Sequence, residues 1–149
     1  NIYLGIGRWT PWPDESNPPV PMPSDPFTDE VICLKTVEQK YYVIEDEEGT
    51  IFYRNKKYKV LNEEEAKAQD CRWIFISCWL NYSEAPTDIS YRQVGCFTDV
   101  VKTPETPPEQ QVLLPSNIQS YGTCEIIAND TPTYRSPSKR ERVAAIIEF

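Results

Sequence analysis

Three pairs of acidic residues are spaced as acid–base partners could be: Asp46 and Glu48, Glu63 and Glu65, and Asp88 and Asp99. Two carboxylates facing each other across a sugar would make a glycosidase, one protonating the leaving oxygen while the other attacks or activates water. Among 23 acidic residues such pairs arise by chance, and runs of charge usually mark a solvated face. The chain has no histidine, so the commonest general base and the commonest metal ligand are both missing. The five cysteines, at 33, 71, 78, 96 and 124, are odd in number and form no Cys-x-x-Cys pair. Cys71 and Cys78 are too far apart for a zinc knuckle, and no histidine completes a site. Cys33, Cys78 and Cys124 lie in apolar runs, so buried free thiols in a reducing compartment are expected. Gly5-Ile6-Gly7 follows a strand as a phosphate loop does, but a third glycine and a Lys-Ser/Thr pair are missing, and Pro11 blocks the helix. No catalytic residue, metal ligand or cofactor is expected.

The residues after Gly7 suit binding instead. Arg8, Trp9 and Trp12 belong to the types enriched at interface hot spots. Residues 11–26 then hold seven prolines, which excludes helix and central strand and leaves an extended, polyproline-like arm. A stiff arm loses little entropy when it docks. The expected protein-interface residues are Arg8, Trp9, Trp12, Pro18, Pro19, Pro21 and Pro23, with Trp9 or Trp12 anchoring the arm on a neighbouring subunit. The competing expectation is that both tryptophans cap the chain's own core. Pro18-Pro19-Val20-Pro21 also fits a minimal PxxP ligand, although the basic residue that orients such ligands is not adjacent.

The elements that must position these residues follow from composition and pattern. A chain of 149 residues suits one domain, or one domain with an arm, and can bury a core without metals or disulfides. Fourteen prolines against five glycines point to β structure with rigid connections. The net charge of −8 repels phosphate backbones, so no nucleic-acid partner is expected. The one basic cluster, Arg135, Lys139, Arg140 and Arg142, reads as solvated or ion-paired. No apolar run approaches the length of a membrane span, so no membrane insertion is expected. The chain starts without Met and shows no signal peptide, which is expected of a protein with an N-terminal part before Asn1.

The fold expected is mainly β: a single β-rich, sandwich-like domain with a Pro-rich extended arm and one short helix. Residues 1–10 are expected to form an edge strand and a Gly-x-Gly turn, residues 11–30 the arm, and residues 31–149 the β-rich domain. Apolar and alternating runs over 31–61 predict a β-meander. Asn62 followed by Glu63, Glu64 and Glu65 predicts a capped helix of one or two turns. Trp73–Leu80 is the most apolar stretch and predicts a strand buried on both faces, at the centre of the core. Further strands are expected from Ile89 to Phe97, from Gly122 to Ala128 and from Arg142 to Phe149, with a polar loop at Thr131–Ser138.

Three segments resemble a known family. Ile2 to Asp25 runs from an apolar strand through Gly7-Arg8 and Pro11-Trp12 to a proline run closing at Ser24-Asp25. Tyr91-Arg92-Gln93-Val94-Gly95 is similar to a strand motif of phage tail and baseplate proteins. Asn129, Pro132, Arg140–Val143 and the closing Ile146-Ile147-Glu148-Phe149 complete the series. Together they resemble the baseplate wedge subunit encoded by gene 8 of contractile-tailed bacteriophages. The resemblance implies a structural, non-enzymatic virion protein of the tail baseplate, assembled in the host cytoplasm. Its implied partners are other baseplate wedge proteins and a second copy of itself, as a dimer within a wedge. The alternative function is a carbohydrate- or receptor-binding β-module of the tail tip, for which Tyr41, Tyr42, Phe52, Tyr53 and Tyr58 could supply exposed aromatics.

Overall fold

The opening strand, β1 (Tyr3–Gly7), alternates: Leu4 and Ile6 enter one apolar cluster, while Tyr3 enters another on the opposite side with Gly5 and Gly7. The computed structural model describes residues 1–149. After β1 come β2 (Val31–Thr36), β3 (Gln39–Glu45), β4 (Ile51–Tyr53), β5 (Lys56–Leu61) and α1 (Glu63–Ala68). They are followed by β6 (Trp73–Leu80), β7 (Ile89–Thr98), β8 (Val101–Lys102), β9 (Val112–Leu113), β10 (Ile118–Ser120), β11 (Thr123–Arg135) and β12 (Glu141–Glu148).

The strands form two five-stranded antiparallel sheets, ordered β11-β7-β1-β2-β9 and β12-β6-β3-β5-β4, with β10 and β8 as a separate ribbon. Leu4, Ile6, Cys33 and Cys96 of the first sheet meet Ile76, Cys78, Leu80, Val143 and Ala145 of the second, which makes the main core. A smaller cluster of Tyr3, Val31, Leu34, Phe97 and Leu113 covers the outer face of the first sheet, with Phe27 laid edge-on against Phe97 at 5.0 Å. The fold is a mainly β single domain with one short helix. That helix begins as its sequence predicts: Asn62 Oδ1 accepts from the Glu65 N–H at 2.8 Å, and three glutamates occupy the first turn.

Several local expectations are corrected. β1 is not an edge strand: it is the middle strand of its sheet, paired with β2 on one side and β7 on the other. The prolines begin four residues after the strand ends, so every N–H of β1 is free to enter a ladder. The two glycines lie inside the strand and make no turn. They are there for close approach: a Cβ on Gly5 would lie 2.8 Å from the Phe97 ring, and one on Gly7 2.6 Å from the Glu30 carbonyl. The chain turns at Arg8, in the left-handed region at φ 63°.

The meander over 31–61 divides between the sheets. β2 belongs to the first sheet, and Val37 and Glu38 carry the chain to the second, tied to the Ile2 and Ser77 carbonyls. Within the second sheet β5, not β4, neighbours β3. The loop expected at Thr131–Ser138 is largely strand. β11 continues to Arg135 by bulging between Asn129 and Thr133, which leaves Pro132 outside the ladder.

Candidate functional site: the proline arm and its clasp

The arm leaves β1 at Arg8 and returns at Glu30. Its two ends are tied together, with the Arg8 N–H donating to the Glu30 carbonyl at 2.9 Å. Thr10 donates its N–H and its hydroxyl to the Glu30 carboxylate at 3.0 and 2.7 Å. Burial alone would raise the Glu30 carboxyl, but the hydrogen bonds from Thr10 hold it below the usual range. The left-handed Arg8 is steadied by its own side chain, whose guanidinium lies 3.7 Å over the Trp12 ring and donates to the Thr10 carbonyl.

Trp12 is buried, and its indole N–H donates to the Asp130 carbonyl in the β11 bulge at 2.8 Å. Beside it Arg92, almost wholly buried in β7, binds the Glu15 carboxylate with Nε and Nη2, the shortest contact being 2.6 Å. Its remaining Nη1 donates to the Trp9 carbonyl at 2.8 Å. Those hydrogen bonds from Arg92 hold the Glu15 carboxyl below its usual range. A second clasp lies one residue along β7. Gln93 Nε2 donates to Asn129 Oδ1, Asn129 Nδ2 donates to the Pro19 carbonyl, and Gln93 Oε1 accepts from the Thr28 N–H, all within 2.8–2.9 Å.

The expected interface residues therefore separate. Trp12 is turned into its own chain: it is 7 % exposed because the Asp130 carbonyl and the Arg8 guanidinium enclose it. Arg8 is committed to stacking on it. Trp9 is 46 % exposed, held only through its backbone. Pro18 and Pro21 are half-buried beside Ile126, Ile127 and Ala128 of β11, while Pro19 and Pro23 are exposed.

The acidic pairs have local structural roles. Asp46 caps the β3–β4 turn by accepting the Glu48 N–H, and Glu63 and Glu65 sit in the first turn of α1. Asp88 and Asp99 occupy left-handed turn positions, with Asp88 accepting the Tyr134 hydroxyl. Of the tip aromatics, Tyr41 and Phe52 are exposed, while Tyr42 and Tyr53 lean on Phe149 and Phe75. The five cysteines are free thiols; burial pushes Cys33 and Cys78 up to about 12 and Cys96 to about 11.

The sequence reading missed the buried charges. Arg135, expected on a solvated or ion-paired surface, has no exposed area. It donates to the carbonyls of Asn81, Ala85 and Pro86, a loop whose turned-in backbone supplies the acceptors. Arg140 and Arg142 of the same cluster lie over the rings of Trp79 and Phe75. Lys35 is 4 % exposed and binds Glu84 in that loop, together with the Trp79 carbonyl. The available signal was position: Lys35 pairs with inward-facing Leu4.

The arm is thus clasped to the sandwich, with Trp9, Val20 and Met22 left outside. A family model described as baseplate wedge 3 tail fiber network component matches residues 1–149. The chain belongs to this family. It is similar to Virion protein 3 of Enterococcus phage phiEF24C, 28 % identical over 135 residues, which cover 87 % of this chain and 73 % of that protein. This wedge-family chain is a phage virion protein of the baseplate, and a component of that network contacts other baseplate proteins. No helix in it is long and apolar enough to cross a membrane.

Proposed function

We propose that this chain is a structural subunit that carries mechanical load between neighbours in the baseplate wedge, without chemistry of its own. The match of the whole chain to a wedge and tail fiber network family carries the reading. The arm supports it. Residues 8–19 are fixed to the chain's own sandwich by Arg92, Asn129 and the Trp12 indole, so the arm's exposed side chains are presented without an ordering cost. Trp9 is the arm's exposed aromatic and serves as its anchor on an adjoining wedge protein. Arg8, Pro18, Pro19, Pro21 and Pro23 shape that surface, while Trp12 supports it from beneath. A second copy within the wedge is one of the neighbours. The arm and domain divide as residues 11–30 and 31–149, with β1 belonging to the domain's first sheet.

Immunogold electron microscopy of tails, with antibody raised against the folded chain, tests this. Label at the distal tail end, on intact or partly disassembled baseplates, is expected. Bare tails in both preparations, with antibody that binds the native protein, would refute it.

A further inference from the structure

Seven consecutive residues, Asn17 to Pro23, are each a proline or the residue before one. Proline fixes its own φ and drives its predecessor into extended geometry, so this stretch has little conformational freedom before any partner arrives. Both ends of the loop it belongs to are stapled by the same amide pair. Asn129 holds the Pro19 carbonyl and Gln93 holds the Thr28 N–H, the two side chains bonded to each other at 2.8 Å. Its tip is closed by a β-turn in which the Asp25 N–H donates to the Met22 carbonyl and the Asp25 carboxylate accepts the Met22 N–H.

On this fixed loop Val20 and Met22 are 87 % and 65 % exposed. They are the two most exposed large apolar side chains in the protein, two residues apart on one extended segment. Asp25, Asp29 and Glu125 flank the loop; Arg54, which lines the surface beside Val20, is neutralised by Asp130 at 2.8 Å, and Arg8 is stacked on Trp12, so the unpaired charge around the loop is acidic.

We infer that Val20 and Met22 form a preformed apolar knob that seats in an aromatic-lined groove with a basic rim, on a different protein of the baseplate network. A proline-fixed extended segment is recognised by grooves of aromatic side chains, which pack against the rings and the alternate apolar residues. The acidic flank selects a Lys- or Arg-bearing rim and disfavours a second copy of this chain, whose net charge is −8. This inference rests on the baseplate reading and names the partner's chemistry.

The test uses the full chain, supplied in infected cells in place of the phage's own copy. A benzophenone side chain at position 20 is activated in assembled tails, and the attached peptide is sequenced. In parallel, incorporation into tails is compared for wild type, Val20→Leu and the double variant Val20→Asp, Met22→Asp. Attachment to a different baseplate protein, at a peptide bearing aromatic and basic residues, is expected. So is a loss of incorporation of about tenfold or more for the double aspartate variant alone, at an unchanged melting temperature. Attachment to a second copy of this chain, to a peptide without aromatics, or to nothing overturns the inference, as does normal incorporation of the double variant. Wild-type chain missing from the tails would instead refute the baseplate reading beneath it.

Discussion

Gln93 and Asn129 are directly paired across β7 and β11, and their amide side chains hold opposite ends of one loop: Asn129 takes Pro19 and Gln93 takes Thr28. The arm is thus fixed to the sandwich by strands that also build the core.

Replacing Gln93 by Leu should unfasten Thr28 and leave the Asn129 amide oxygen without its donor. Thr28 and Asn129 are only half-buried, so water can partly replace the lost partner and the cost should lie near the low end for an unpaired polar group, about 1 kcal/mol, with a matching fall in the urea midpoint. Hydrogen exchange at the Thr28 N–H should accelerate while exchange in β12 stays slow.

The two arm tryptophans should behave oppositely. Trp12→Ala removes a buried ring and its bond to Asp130 and should cost about 3–5 kcal/mol. Trp9→Ala should change stability by less than about 0.5 kcal/mol. Thermal melts of both variants decide this; equal losses would mean that Trp9 is also part of the core.

Breaking the Lys35–Glu84 pair should matter more from the glutamate side. Glu84→Gln leaves a nearly inaccessible ammonium with only the longer, 3.6 Å contact to the partly exposed Glu38 carboxylate, whereas Lys35→Met leaves a carboxylate that still reaches water. Chemical denaturation at neutral pH should rank Glu84→Gln as the less stable.

The acid limb follows from the same contacts. Burial would raise the Glu84 carboxyl, but the Asn81 N–H and Lys35 bring it below its ordinary value of 4.5, and Arg92 lowers Glu15 in the same way. A group with a depressed folded value stabilises the fold above its unfolded value, and that contribution is lost as pH falls through the folded one. Stability should therefore decline below about pH 4.5, and Glu84→Gln should flatten the decline in urea titrations.

The alkaline limb has the opposite sign. Cys33 and Cys78, raised from 9.0 to about 12 by burial, stay protonated in the fold while the unfolded chain ionises. Their contribution is complete below pH 9 and is lost between 9 and 12. Stability should fall across that window, and Cys78→Ala should shallow the slope. Native alkylation at neutral pH should spare Cys33, Cys78 and Cys96 and reach the half-exposed Cys71 and Cys124 first.

The sequence by itself determined what depends on neighbours along the chain. Alternation and apolar runs marked most of the strands, Asn62 and its glutamates marked the helix start, and prolines marked an arm that could join no ladder. The whole-length family match agrees with the resemblance carried by the chain's two ends and the Tyr91–Phe97 strand. What tertiary structure decided is the set of relations between distant residues. β1 became a central strand because partners lay on both sides of it. Arg135 could be buried because the 81–86 loop turned its carbonyls inward. Trp12 was enclosed and Trp9 left outside because the β11 bulge set the Asp130 carbonyl beside one indole only. Residue type predicts that a side chain can bind; which surface it meets depends on contacts made across more than a hundred residues of sequence, and these form only when the two sheets close on each other.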